Sequence, residues 1–154
     1  MKKKKGLSRS SEDYLEAIYL ICKRNGQARS KDIMERLGVS GPSVTEALQL
    51  LRRKNMVDYQ PYSPVRLTVQ GEAVGRKILL RHRALQKFFI EVLGLDEETA
   101  EEGACALEHT ISPRIIERMV EYSQYLQMAY RQNWRSRVEE FNRFLNQDLE
   151  KSKE

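Results

Sequence analysis

The chain has only two histidines, and one of them, His109, closes the run Cys105-Ala106-Leu107-Glu108-His109. On a helix, Cys105, Glu108 and His109 stand at i, i+3 and i+4 and project from one face. Thiolate, carboxylate and imidazole on one patch form a donor set for a divalent transition metal. One helix cannot complete a coordination sphere, so further ligands must come from elsewhere. The candidates are Asp13 and Glu16 near the start of the chain and His82, the other histidine. Asp13 and Glu16 lie roughly 140° around a helix from the apolar stripe Leu15, Ile18, Tyr19 and Cys22, with Leu20 on their own side. If the helices carrying His82 and the CxxEH run pack over that first helix, six donors converge. Such an oxygen-rich set suits one or two five- or six-coordinate ions better than an open catalytic zinc site.

Each donor also has a plainer explanation. A first-turn carboxylate such as Asp13 favours the helix dipole. His82 between Arg81 and Arg83 suits a basic surface, and Cys105 between alanines suits a small buried hydrophobe. A zinc enzyme is the catalytic alternative, but neither HExxH nor paired CxxC motifs occur. Regulation by metal, with no small-molecule substrate, is therefore expected over catalysis.

The elements that must hold these donors follow from periodicity and stop signals. Ser10 or Ser11 caps a first helix to about Arg24, halted by Asn25-Gly26. Ser30 caps a short helix that Gly38 breaks, and a third helix starts at Ser40-Gly41-Pro42. The stretch VDYQPYSPVRLT predicts a two-stranded hairpin. Thr68 caps a long helix to about Leu93 that carries His82, and Gly94 ends it. A helix over 96–111 carries the CxxEH run, Ser112-Pro113 opens another, and the last spans about Trp134 to Lys151. The fold class expected is mainly α. A winged helix-turn-helix with a short β wing (1–70) precedes an all-helical metal-binding domain (71–154).

Charge divides the chain in the same sense. Residues 1–83 hold 18 Lys/Arg against 8 Asp/Glu, whereas residues 84–154 hold 9 against 14. A basic first part points to nucleic acid. With Ile33, Leu37, Val39, Val44 and Leu48 turned inward, the third helix presents Ser40, Ser43, Thr45, Glu46 and Gln49 outward, toward a DNA major groove. Arg52, Arg53 and Arg66 are spaced for phosphate contacts, and Lys2 to Lys5 form either an added arm or a tail with no specific role. The alternative is a winged helix used for protein contacts. A metal-independent DNA-binding protein is a further alternative. No run approaches the ~20 apolar residues of a membrane span, and no signal peptide is evident, so a cytoplasmic protein without membrane partners is expected.

The stretches SEDYLEAIY, VSGPSVTEAL, LTVQGE, RHRAL, VLGLDEE and ACALEHTIS, in that order, resemble the diphtheria toxin repressor family of metal-dependent transcription factors. The resemblance covers about Ser11 to Arg118. It implies a homodimer that binds a palindromic operator on double-stranded DNA when Mn²⁺ or Fe²⁺ is abundant, silencing metal-uptake genes. It implies metal ligands at Asp13, Glu16, His82, Cys105, Glu108 and His109, and operator contacts at Ser30, Lys31, Ser40, Pro42, Ser43, Thr45 and Arg53. Glu46 stands where iron-sensing members often carry glutamine. The chain resembles the short, two-domain manganese branch, as does Asp13. Cys105 instead resembles the iron-type members, which makes the donor set a hybrid.

Overall fold

The computed structural model describes residues 7–130 and 133–151. The lysine run at Lys2 to Lys5 and the side chains of Trp134, Leu145 and Leu149 lie outside the described residues. The described elements are α1 (Arg9–Asn25), α2 (Ser30–Leu37), α3 (Gly41–Arg53), β1 (Val57–Asp58), β2 (Arg66–Leu67), α4 (Val69–Glu91), α5 (Glu97–Leu107), α6 (Pro113–Ala129) and α7 (Trp134–Lys151). The chain forms two compact units, Met1–Leu79 and Leu80–Glu154.

In the first unit α1 and α2 each stop where a glycine reverses the backbone. Gly26 and Gly38 adopt φ 77° and 63°, and their N–H groups reach back to the carbonyls of Cys22 and Met34. The caps differ from expectation at two points. Ser8, rather than Ser10 or Ser11, caps α1, since its side chain accepts from the Ser11 N–H while Ser11 itself is buried. Ser30 is the first residue of α2, and the Asp32 carboxylate accepts from the Arg29 N–H instead. α3 starts where expected, with Ser40 as its cap accepting from the Ser43 N–H.

Val57 pairs with Leu67 and Asp58 with Arg66 in the antiparallel wing. A further bridge, Ala28 to Val65, ties the α1–α2 loop to the wing through reciprocal bonds of 2.9 and 2.7 Å. Leu15, Ile18, Ile33, Val44, Leu48, Leu51 and Val65 fill the core. α4 enters this unit through a glycine seat. A side chain at Gly71 would overlap the Met56 carbonyl, and one at Gly75 would come within 2.9 Å of the Tyr19 side chain. Only glycine permits that approach.

The second unit has a smaller core of Leu85, Phe89, Ala100, Ala104 and Ile116. α5 ends at Leu107, short of the expected 111. Glu108 is its C-cap and His109 lies in the following turn, with the Thr110 N–H bonded to the Leu107 carbonyl at 2.9 Å. Ser112 is extended, as the proline that follows it favours. No helix among the described residues is long and apolar enough to cross a membrane.

Candidate metal centre and nucleic-acid interface

The second unit gathers His82 from α4, Glu101 and Cys105 from α5, and Glu108 and His109 from the turn that follows. Glu108 is almost wholly buried at 1 % exposure, and His82 is buried beside it. The two oxygens of Glu108 serve different imidazoles: Oε2 lies 3.0 Å from His82 Nδ1, and Oε1 lies 3.1 Å from His109 Nε2. The far nitrogen of His82, Nε2, lies 2.9 Å from Glu101 Oε2. Gln86 donates to that same carboxylate oxygen at 2.9 Å. Cys105 Sγ stands 3.9 Å from His82 Nδ1 and 4.0 Å from Glu101 Oε1. Exposure increases outward from Glu108 to the exposed Glu101 and Cys105.

A buried carboxylate without a counter-charge is strongly unfavourable. Here His82 supplies the charge. Its hydrogen bond to Glu108, and secondarily that to Glu101, push its pKa up from 6.5 to about 9 against the opposing effect of burial. The proton thus does what a bound cation would do. The donor set fits such a cation on spacing as well as type. Metal–ligand bonds of about 2.1 Å place neighbouring octahedral ligands about 3 Å apart, which is the separation of Glu108 from both imidazoles. His82, Glu101 and Cys105 each offer one donor atom within 4.8 Å of the others.

Of the six donors expected from sequence, His82, Cys105, Glu108 and His109 come together within this unit, and Cys105 is an exposed thiol rather than a buried hydrophobe. Glu101 was missed. It lies one helical turn before Cys105, so the signal existed in the i, i+4 spacing of ExxxC. Asp13 and Glu16 lie on α1 of the first unit, half-buried and one turn apart.

The first unit exposes the residues expected to meet DNA. Ser40, Pro42, Ser43, Thr45, Glu46 and Gln49 are exposed along α3, as are Arg52 and Arg53 at its end and Arg66 on β2. Ser30 is half-buried at the start of α2, and Lys31 beside it is exposed in an ion pair with Glu35 at 3.6 Å. The Ser40 and Ser43 hydroxyls bond each other at 2.9 Å, and Thr45 Oγ1 donates to the Gly41 carbonyl at 3.1 Å. The three hydroxyls are thus hydrogen-bonded within the unit itself.

The sequence matches the iron dependent repressor N-terminal DNA binding domain over residues 6–65. It matches the iron dependent repressor metal binding and dimerisation domain over residues 68–133. An HTH-type transcriptional regulator of Methanocaldococcus jannaschii is 41% identical over 114 residues, spanning 73% of this chain and 91% of the relative. The chain belongs to the iron-dependent repressor family. The regulator MntR of Bacillus subtilis is 35% identical to this repressor over 77% of the chain and 82% of MntR. Among solved structures, the manganese regulator SloR matches with a TM-score of 0.66 at 30% identity, covering 75% of the repressor. The repressor spans about half the length of that structure, 54%. It is a metal-dependent transcriptional regulator rather than an enzyme, and DNA binding and homodimer formation are features of its family.

Proposed function

We propose that this repressor is activated by Mn²⁺ or Fe²⁺, binds a palindromic operator as a homodimer in the cytoplasm, and controls genes of metal homeostasis. The ligands are Asp13, Glu16, His82, Cys105, Glu108 and His109, with Glu101 at the edge of the shell. The DNA contacts come from Ser30, Lys31, Ser40, Pro42, Ser43, Thr45, Glu46, Gln49, Arg52, Arg53 and Arg66. Residues 1–70 bind DNA, residues 71–154 bind metal and dimerise, and no small-molecule substrate is involved. The observation that carries this reading is the buried Glu108 carboxylate held between two imidazoles. One oxygen turned to each histidine would also let Glu108 serve two ions per subunit.

A cation, when bound, would supply the positive charge that the carboxylates of α1 and the donors of α4, α5 and the turn after it would hold in common. Asp13 and Glu16 thereby tie the DNA-binding unit to the helices that dimerise. In a dimer this fixes the two α3 helices about one DNA turn apart, ~34 Å. Without that restraint the competent arrangement is one of many, and operator affinity falls by its population. Thiolate at Cys105 favours softer ions, whereas four carboxylates favour Mn²⁺.

The test is operator-binding titration with Mn²⁺ and with Fe²⁺ under anaerobic conditions, beside chelated protein. Chelated protein should keep weak, salt-sensitive binding that ignores sequence while losing operator preference. Equal operator affinity with and without metal rejects the proposal. Because in vitro affinity follows the Irving–Williams order, activation at cellular metal concentrations decides between the ions.

A further inference from the structure

Tyr62, at the tip of the wing, is fully exposed at 107 % and adopts φ 65°. Left-handed backbone is unfavourable for a bulky side chain. Among the described non-glycine residues only Asn55 shares it, and asparagine tolerates that region well. Pro61 and Pro64 flank the ring, and the Ser63 N–H bonds the Gln60 carbonyl at 3.1 Å, closing the turn that presents it. Folding of the isolated unit gains nothing from this arrangement, since the ring buries no surface.

Beneath the ring lies a cleft of about 640 Å³. Its walls include Arg29 and Ser30 from the start of α2, Gly41 and Thr45 from the start of α3, and Tyr59 and Tyr62 from the wing. None of its lining residues is a carboxylate, and Arg29 is exposed. The cleft therefore joins the first turn of the recognition helix to an aromatic wing tip within the basic part of the chain.

We propose that this cleft seats one sugar–phosphate strand of the duplex where it leaves the major groove. Arg29 takes a phosphate, and the Tyr62 ring packs on deoxyribose in the adjoining minor groove. This rests on the DNA-binding reading above and adds contacts outside α3. A flat aromatic ring gives contact area while losing little rotamer freedom. Being uncharged, it reads groove shape rather than phosphate charge. The basic surroundings and the absence of lining carboxylates favour a nucleic-acid strand over an acidic-walled protein contact.

The test uses the full chain with Mn²⁺ and a duplex recovered by selection from a random-sequence pool. Y62G isolates the ring from the backbone, because glycine adopts φ 65° without strain. Y62G and Y62A should each bind about tenfold more weakly, while Y62F keeps parental affinity. The salt slope should be unchanged in the Tyr62 variants and should fall by about one in R29A. Hydroxyl-radical footprinting should show deoxyriboses beside the α3 footprint losing protection in Y62G and Y62A and keeping it in Y62F. Parental affinity and footprint in Y62G would overturn the proposal while leaving the repressor reading intact. A parent chain that binds no duplex would overturn both.

Discussion

The two units of this repressor solve opposite problems with their polar residues. The first keeps its functional side chains on the outside of a large apolar core, where Leu15, Ile18, Ile33, Leu48 and Leu51 are sealed from water. The residues proposed to face DNA lie outside that core. The second has few fully buried apolar side chains among the described residues, and places Glu108 and His82 among its buried groups. There the groups that would bind the ligand are also groups that hold the fold. On the proposed sites, function and stability separate in one unit and coincide in the other.

The sharpest way to break this contrast is Glu108→Gln. Removing the charge takes the buried carboxylate from both imidazoles and leaves His82 only the exposed Glu101, so metal affinity should fall by more than about 100-fold and the metal-free unit should lose about 3 kcal/mol. Metal titration and thermal unfolding check the two effects together. Loss of metal binding with unchanged stability would show that the second unit also separates its roles.

A smaller effect follows from pH. The His82 pKa is raised from 6.5 to about 9, so its contribution to metal-free stability is complete below pH 6.5 and is lost as pH rises through about 9. Metal binding must expel that proton and therefore runs the other way. Affinity should climb up to about tenfold per pH unit until pH 9 and then level off. Calorimetric titration in buffers of different ionisation enthalpy measures the released proton directly, and a flat profile would remove His82 from the shell.

The smallest expected change lies on the first unit. Glu46→Gln on the exposed face of α3 should alter operator affinity only a few-fold, shifting base preference at one position, with the unfolding temperature unmoved. Selection of preferred sequences with both proteins reads this out. A large loss of stability would contradict the separation of roles claimed for this unit.

The first unit was legible in the sequence because its signals are local. Gly26 and Gly38 mark helix ends, Pro42 marks a start, and the proline-punctuated β-prone stretch marks the wing. Choosing Ser8 over Ser10 or Ser11 was not legible, because three serines within four residues are equivalent by type and only packing buries Ser11. In the second unit the rarity of histidine drew attention to His82 and His109. Glu101 escaped because it is one of five glutamates between 97 and 108, and nothing in the chain order says which one meets α4. Placement of His109 in a turn, not on the helix, was not legible, because no glycine or proline lies between Cys105 and His109 to mark the helix end.

The glycine seat of α4 has a consequence for genetics. Neither Gly71 nor Gly75 carries a side chain that could touch an ion or a base, yet even a methyl group at Gly71 collides with the Met56 carbonyl. A screen for alleles that escape repression, scored on a reporter, should therefore return substitutions at these two glycines. Such alleles would behave as conditional mutants, failing first at elevated temperature, although they lie at neither the donor cluster nor the exposed face of α3.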